Sequence, residues 1–222
     1  MKLFLIYLIQ RYKMMNRAYI NYKHVLYSIG YLFSCNKANP KIDINKINRV
    51  IFIAHPDDEI LSMGNFVLNN PENLLIICIT NGGNLVRLNE FTGLMTELKI
   101  QYQIWNYKDG LDVKWNQGKV REEMRSILNQ KNDWEMVITH NRDGDYGHYQ
   151  HKQVYTLVTS IYQGPNLFVP ISKELLIDQS NELIDIEYEN KVNVFRRFYK
   201  SQLEILDKHE DYFKYERIVR EG

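Results

Sequence analysis

Short apolar segments alternate with helix-like segments along the chain between residues 49 and 140. The apolar segments are rich in β-branched or aromatic residues: RVIFIA (49–54), LLIICIT (74–80), QYQIWNY (101–107) and WEMVITH (134–140). Such continuous runs are typical of strands that are covered on both faces. The spacing of apolar residues predicts helices over about 58–69, 86–99 and 118–131. The alternation predicts a single Rossmann-like α/β domain with a doubly wound, mostly parallel sheet.

The two ends of the chain are less regular than this central part. Residues 165–188 show no clear period, and the last thirty residues are predicted to be helical. We therefore place the domain at residues 48–222 and treat residues 1–47 as a helical N-terminal extension.

The N-terminal extension contains two apolar patches, at 3–9 and 25–35. The first is too short for a transmembrane helix, which needs about 20 apolar residues. The second patch ends in Leu-x-Ser-Cys, which is similar to the end of a bacterial lipoprotein signal and would make Cys35 the lipidated residue. The alternative is a pair of amphipathic helices that pack on the domain or lie on a membrane surface. Membrane association through residues 1–35 and a cytoplasmic location both stay open.

Composition and charge exclude two classes of function. The chain has 28 Lys and Arg residues against 27 Asp and Glu residues, so it lacks the basic excess that marks a nucleic-acid-binding protein. Its two cysteines, Cys35 and Cys78, form neither a disulfide framework nor a CxxC pair. Cys78 lies within the second apolar segment and is predicted to be a small buried hydrophobic residue.

Polar residues follow three of the predicted strands. HPDDE (55–59) follows the first, TNGGN (80–84) the second, and THNRDGDYGHYQH (139–151) the fourth. In a doubly wound sheet, ligands bind outside the carboxyl ends of the strands. We therefore expect these segments to meet at one edge of the sheet.

The spacing of the histidines suggests a metal site. His55 and Asp58 are three residues apart, so a helical turn begun by Pro56 would place both on one face. His148 and His151 have the same spacing. Two histidines and a carboxylate are typical of a catalytic zinc site with one open position, whereas a structural site would need a fourth protein ligand, usually a thiolate.

Three other histidines are assigned less definite roles. His140 ends the fourth segment, where it either lines the site or supports it. His24 and His209 lie in charged or amphipathic surroundings and are predicted to be at the surface.

The AHPDDE segment, together with THNRDGDYGHYQH, resembles the PIG-L/LmbE-like zinc-dependent de-N-acetylases. Shorter similarities are ITNGGN, VRLNE, YKDG and YKSQ (199–202), so the resemblance covers about residues 49–205. It implies hydrolysis of the N-acetyl group of an N-acetylglucosamine-type sugar on a glycan, glycolipid or glycoside. It also implies Zn²⁺, or another divalent metal, bound by His55, Asp58 and His151.

The resemblance implies roles for five further residues. Asp57 would be the general base that acts on the metal-bound water. His148 would stabilise the oxyanion or protonate the leaving amine, and Tyr146 would lie near the tetrahedral intermediate. Arg87 and Asp109 would line the sugar pocket. The TNGGN turn departs from the Thr-x-Gly-Glu of many bacterial members, which leaves the substrate open.

Other functions are weighed against this one. A nucleotide-binding module would carry Gly-x-Gly-x-x-Gly after the first strand, where this chain has AHPDDE. A non-catalytic sugar-binding member of the same fold would have no need of Asp57. A metal-dependent hydrolase of another amide or ester is the remaining alternative. The acceptor that carries the amino sugar, the native metal and the oligomeric state stay open.

Overall fold

A computed structural model of the protein describes residues 39–110 and 113–222. The predictions for residues 1–38, including lipidation at Cys35 and exposure of His24, lie outside the described residues. Among the described residues, no helix combines the length and the apolar character that a membrane span requires.

Within these residues, six strands form one sheet in the order β3-β2-β1-β4-β5-β6. Neighbouring strands from β3 to β5 are parallel, and β6 is antiparallel to β5. The order is that of a doubly wound sheet, so the predicted fold class is confirmed. The strands are β1 (Arg49–Ile53), β2 (Leu74–Thr80), β3 (Gln101–Tyr107), β4 (Met136–Ile138), β5 (Leu167–Pro170) and β6 (Ile218–Arg220).

Helices cover both faces of this sheet. In chain order they are α1 (Asp58–Leu61), α2 (Gly64–Asn69), α3 (Leu85–Leu98), α4 (Gln117–Leu128), α5 (Tyr149–Ile161), α6 (Lys173–Leu176), α7 (Asp185–Phe198), α8 (Glu204–Lys208) and α9 (Glu210–Lys214). The helix predicted over 58–69 is divided in two at Ser62 and Met63.

The central strands are buried on both faces, as their apolar runs predict. Ile51 and Ile53 of β1 belong to a core cluster that includes residues of α3 and α7. Val50 and Phe52 point the other way, into a cluster with residues of α4 and α5. Alternation along a strand therefore supplies both layers of the core from one five-residue segment.

Two predicted elements differ from the structure. The strand expected over 134–140 is limited to the three residues of β4, because its ends bend away to form loops on both sides. The last thirty residues are largely helical but end in β6, which pairs with β5 through Pro170 and Ile218. Proline has no N–H group to donate to a sheet, so it is confined to strand ends and sheet edges. β6 pairs with the edge of β5 that β4 leaves free.

The strand order places one crevice at the centre of the sheet. β1 lies between β2, which continues the chain on one side, and β4, which begins the other half. In this class of fold, ligands bind at the carboxyl ends of the strands where the order reverses. HPDDE and THNRDGDYGHYQH leave β1 and β4 at this point.

Candidate metal centre and catalytic pocket

A tight turn after β1 brings His55 and Asp58 together. The Asp58 N–H donates to the His55 carbonyl at 3.3 Å, and the His55 N–H donates to the Asp58 carboxylate at 2.7 Å. Helix α1 begins only at Asp58, so Pro56 lies in the turn and not in the first turn of a helix as predicted. The two side chains meet through this turn, and the prediction of a shared helical face is wrong.

Asp57 has an uncommon backbone conformation, with φ of 115°. Positive φ is rare outside glycine, and a residue held there costs about 1–3 kcal/mol unless its surroundings fix it. The Asp57 carbonyl accepts the N–H groups of Ile60 and Leu61 at 3.0 and 2.8 Å, and thus starts α1. Its own N–H donates to the Glu59 carboxylate at 3.1 Å.

The loop after β4 places the Asp145 carboxylate next to two histidines of the site. Gly144 has φ of +74°, and a Cβ there would lie 2.5 Å from the His148 carbonyl oxygen. Asp145 follows with φ of 59°, and its N–H donates to the Asn141 side chain at 2.8 Å. Only glycine fits the first of these positions without a clash. The loop thereby directs the Asp145 carboxylate towards His140 and His151.

Three potential donor groups, two imidazoles and one carboxylate, form a triangle of close pairwise contacts. His55 Nδ1 lies 3.3 Å from His151 Nε2 and 3.3 Å from the Asp58 carboxylate. His151 Nε2 lies 3.2 Å from the other oxygen of the same carboxylate. Donors about 2.0–2.1 Å from one tetrahedral zinc ion are roughly 3.3–3.4 Å apart. Each pairwise spacing therefore matches that of two ligands of one ion, with the two imidazoles facing different oxygens of the carboxylate.

Neighbouring side chains orient both imidazoles towards this triangle. Asp145 accepts from His151 Nδ1 at 3.0 Å, which leaves the lone pair on Nε2. Gln150 lies 2.7 Å from His55 Nε2, and Asp109 lies 3.3 Å from it, which leaves the lone pair on Nδ1. Histidine ligands in metal sites are held this way by carboxylates or carbonyl groups. The surroundings therefore select the tautomers that a metal requires.

His140 supports the site. Its Nδ1 lies 2.6 Å from Asp145, and its Nε2 accepts the Ala54 N–H at 3.0 Å. Burial lowers the pKa of His140, but Asp145 and Asp58 outweigh this and raise it to about 9. A cationic ring could not accept from Ala54, so we assign the neutral form on this geometry. With both nitrogens engaged, His140 is a supporting residue, one of the two roles predicted for it.

Two other donor sets lie close enough to share an ion among the described residues. They are His55 with His148 and His151, and Asp58 with His140 and His151. Because both nitrogens of His140 have partners, the second set is left with Asp58 and His151. The predicted set takes His55 from the first group, Asp58 from the second and His151 from both.

The charges of Asp58 and His55 depend on their surroundings. Burial favours the neutral acid, but His151 and His55 hold the pKa of Asp58 well below its usual range. Burial similarly opposes the charged form of His55, while Asp58 and Asp109 raise its pKa well above the ordinary value. A metal ion would replace the proton of His55, and binding should therefore release a proton.

Asp57 lies beside this triangle but faces a different partner. Its carboxylate lies 3.1 Å from the Arg87 guanidinium, which also donates to the Pro56 carbonyl. Burial raises the pKa of Asp57 to about 6, although Arg87 opposes the shift. The group is therefore mainly ionised at neutral pH and near the range that suits a general base.

His148 is the N-terminal cap of α5. Its Nδ1 accepts the Gln150 N–H at 3.2 Å, so a neutral ring carries its proton on Nε2. Burial and the neighbouring His151 and His55 lower its pKa to about 4. The imidazolium form is therefore disfavoured at neutral pH, and the ring can offer a hydrogen bond without carrying a charge.

A cavity of about 260 Å³ opens beside the donors. Asp58 and His151 lie beneath it and are almost completely buried. The other predicted site residues line it: His55, Asp57, Arg87, Asp109, Tyr146 and His148. The structure thus brings all eight predicted residues to one place. Arg87 and Asp109 differ from simple pocket residues, because they pair with Asp57 and His55.

The C-terminal part of the chain forms one wall of this cavity. Gln202 and Ile205 line it, and the His209 ring stacks on Tyr146 with ring centres 4.1 Å apart. His209 is half-buried, so the prediction of a surface residue is wrong. The error arose because α8 and α9 are short and their packing has no clear sequence period.

Several supporting residues were not predicted. Asp145 lies six residues before His151 in a loop that contains Gly144 and Gly147. Glycines on both sides of an acidic residue are the one local signal for it. Gln150 lies between His148 and His151, and its position in the motif does not mark it as a site residue. Tyr199 lies in the YKSQ similarity, but the bond from its hydroxyl to Glu59, about 140 residues away in the chain, has no local signal.

The fold and the donor triangle together define a class: a doubly wound α/β protein with a candidate catalytic metal centre at the carboxyl edge of its sheet. The family is more specific. The sequence model of the PIG-L family, described as GlcNAc-PI de-N-acetylase, matches residues 50–162, and this chain belongs to that family. The predicted family is confirmed.

Two curated proteins are similar in sequence. Uncharacterized protein L374 of Acanthamoeba polyphaga mimivirus is 35% identical over 140 residues, which are 55% of this chain and 61% of that protein. N-acetylglucosaminyl-phosphatidylinositol de-N-acetylase of Saccharomyces cerevisiae is 26% identical over 189 residues, or 67% of this chain and 61% of that protein. The chain spans about three fifths of the length of both relatives.

Two solved structures share the fold. A deacetylase triple mutant from the teicoplanin biosynthetic pathway has a TM-score of 0.58 and 15% identity, covering 79% of this chain and 99% of its own. A deacetylase–bog complex from the same pathway has a TM-score of 0.56 and 14% identity, covering 78% and 99%. At this identity, the likeness supports the architecture.

Proposed function

We propose that the protein is a metal-dependent N-deacetylase that removes the acetyl group from an N-acetylglucosamine-type sugar on a glycan, glycolipid or glycoside. The observation that carries the proposal is the triangle of His55, Asp58 and His151 with a second buried carboxylate, Asp57, next to it. Family membership and the yeast relative's name support the same reaction class and sugar.

The proposed metal ligands are His55 Nδ1, the Asp58 carboxylate and His151 Nε2. Two imidazoles and one carboxylate suit zinc, and three protein ligands leave a position open. An ion bound there would polarise a carbonyl group and lower the pKa of a water molecule from about 15.7 to about 7. The remaining steps are assigned to side chains of this chain.

Asp57 is proposed as the general base. It is ionised in this environment and lines the cavity, whereas its neighbour Asp58 is committed to the donor triangle. Attack of water on the acetyl carbonyl forms a C–O bond, and the water proton passes to Asp57. Cleavage of the C–N bond then returns that proton to the leaving nitrogen, so one carboxyl group serves both steps.

His148 is proposed to stabilise the oxyanion through its Nε2–H group. The α5 cap fixes this tautomer, and the lowered pKa keeps the ring neutral at physiological pH. A neutral imidazole can stabilise developing negative charge without needing to release a proton. Tyr146 lies edge-on to His148 with ring centres 6.0 Å apart, and we propose that its hydroxyl faces the same intermediate.

Asp109 and Arg87 are proposed to contribute to sugar binding in different ways. Asp109 is exposed at the rim, where it accepts a hydrogen bond from the Asn81 side chain at 3.1 Å. Its remaining acceptor capacity suits a sugar hydroxyl. Arg87 is 7% exposed and paired with Asp57. Its main proposed role is therefore to hold the Asp57 carboxylate, and contact with the sugar is secondary.

The test combines metal analysis with amine release from a panel of N-acetylglucosamine conjugates, using wild type and Asp57→Asn. Asparagine tolerates positive φ better than alanine, so the backbone at this position is preserved. We expect bound metal in both proteins and a loss of turnover of about 10²–10⁴-fold in the variant.

Asp143→Asn is the matched control, because Asp143 is exposed in the loop after β4. It should leave both metal content and turnover unchanged. Purified wild type that holds no divalent metal and releases no amine from any conjugate would overturn the proposal. Metal binding and sugar binding without turnover would instead indicate a non-catalytic member, and turnover of other amides or esters a different hydrolase.

A further inference from the structure

The turn of residues 199–202 lies beyond the part of the chain that the family model matches. It connects α7 to α8 and contains the YKSQ segment, whose Gln202 reaches the catalytic cavity. Two other residues of this turn contact carboxylates, Tyr199 in the buried interior and Ser201 at the exposed surface. Both sets of contacts lead to Asp57.

The first route runs through Glu59 to the backbone of Asp57. The Tyr199 hydroxyl bonds one oxygen of the Glu59 carboxyl group. The other oxygen accepts the Asp57 N–H at 3.1 Å. Tyr199 and Glu59 are both completely buried. Neither touches the cavity, so their contact with the reaction is indirect.

The second route runs through Glu90 to the side chain of Asp57. Ser201 donates to the two oxygens of Glu90, from its N–H and its hydroxyl group, each at 2.7 Å. Glu90 lies 3.7 Å from Arg87, and the same guanidinium lies 3.1 Å from the Asp57 carboxylate. Asn84 caps α3 and fixes the backbone N–H of Arg87 at 3.4 Å.

These routes act on the residue with the largest positive φ among the non-glycine residues that the structure describes. Asp57 has φ of 115°, a conformation that persists only where several contacts determine it. The start of α1 fixes its carbonyl group. Glu59 fixes its N–H, and Arg87 fixes its carboxylate. The two latter contacts are the ones that the turn of residues 199–202 supports.

We propose that the turn of residues 199–202 is a positioning element for Asp57, with Tyr199 acting through Glu59 and Ser201 acting through Glu90 and Arg87. The functional consequence rests on the proposed role of Asp57 as a base, whereas the structural consequence does not. A base displaced by about 1 Å loses up to about a hundredfold in rate while substrate binding is little changed. The effect should therefore fall on kcat and leave KM in place.

The test uses two variants and two matched controls in the full chain. Tyr199→Phe removes the first route, and Tyr155→Phe removes a similar tyrosine–carboxylate contact, to Glu221, away from the cavity. Glu90→Gln weakens the second route. Glu97→Gln breaks another tie between α3 and the C-terminal part of the chain, the bidentate pair of Glu97 with Arg197.

Four quantities are measured: kcat, KM, metal content and the Asp57 conformation in crystal structures. We expect Tyr199→Phe and Glu90→Gln to lower kcat about ten- to a hundredfold, with KM and metal content within about twofold of wild type. In the crystals, Asp57 should leave positive φ or its carboxylate should separate from Arg87. Both controls should keep kcat within about twofold even where the melting temperature falls.

An unchanged kcat in both variants, or equal losses in the controls, would overturn the positioning role. If wild type has no deacetylase activity, the proposed function fails, and the crystal structures then decide this proposal alone. An Asp57 that keeps its conformation in both variants would overturn it. If Tyr199→Phe does not fold, the partly exposed Glu90→Gln decides.

Discussion

Replacing Glu59 by Gln should make the stability of the metal-free protein less dependent on pH. Glu59 is completely buried beneath the turn that follows β1. Burial raises its pKa from an ordinary 4.5 to about 8, although the hydrogen bond with Tyr199 opposes the shift. Gln has the same shape and can keep both contacts, but it cannot ionise.

The sign and size follow from proton linkage. Because the folded-state pKa is raised, the favourable contribution of Glu59 is complete below about pH 4.5 and is lost as pH rises to about 8. Each pH unit in this window changes the free energy of unfolding by about 1.4 kcal/mol, so the full loss is at most about 5 kcal/mol. Gln should match wild type near pH 4.5 and be more stable at pH 8.

The assay is urea unfolding in the presence of a chelator, followed by tryptophan fluorescence, since Trp105, Trp115 and Trp134 are buried. The difference between Glu59→Gln and wild type isolates this group from Asp57 and Asp58, which also titrate. Glu97→Gln controls for the substitution itself, because an exposed ion pair contributes less than about 1 kcal/mol. A difference that stays flat from pH 5 to 8, or falls, would refute the reasoning.

Three further predictions concern metal affinity and packing. Asp145→Asn should weaken metal binding about 10–100-fold, because this carboxylate orients His151; chelator competition measures it, and unchanged affinity contradicts the role. Lys191→Met should lower the free energy of unfolding, measured in urea, by about 3–5 kcal/mol, because it leaves Glu216 buried without its cation. Adding Glu216→Gln should recover part of this loss if the pairing is its cause. Gly82→Ala should lower the free energy of unfolding, measured by thermal unfolding, by about 1–3 kcal/mol, because a Cβ would lie 2.8 Å from two backbone carbonyl oxygens of β3. An unchanged melting temperature would show that the backbone of the turn shifts to accommodate the methyl group.

The fold was predictable because its strongest signals are local. Apolar runs and the helical period placed β1 to β3 correctly, and the polar segments at strand ends followed from them. Antiparallel β6 was missed because three residues at the end of a helical region carry no period of their own. The pattern of the central sheet is therefore sufficient to predict where the site lies, but not its geometry.

The candidate site divides in the same way. The eight proposed residues lie in short motifs, and all converge on the cavity or its floor. Some supporting contacts could not be predicted because they join distant segments, as between Tyr199 and Glu59. The protonation of His148 could not be predicted from the sequence either, since it depends on burial and on the positions of the His151 and His55 rings.

The donor triangle has a consequence for the topology of the chain. Asp58 and His151 are separated by about 90 residues that include β2, β3 and β4, so a shared ion would close a very long loop. Cross-links of that span can stabilise a fold by about 4–5 kcal/mol through the entropy of the unfolded chain. Cys78, the cysteine among the described residues, is free and forms no disulfide. A bound ion would therefore be the cross-link that joins the two halves of the sheet in this part of the chain. Chelation should therefore loosen β4 and α5 from β1 and reduce the cooperativity of unfolding.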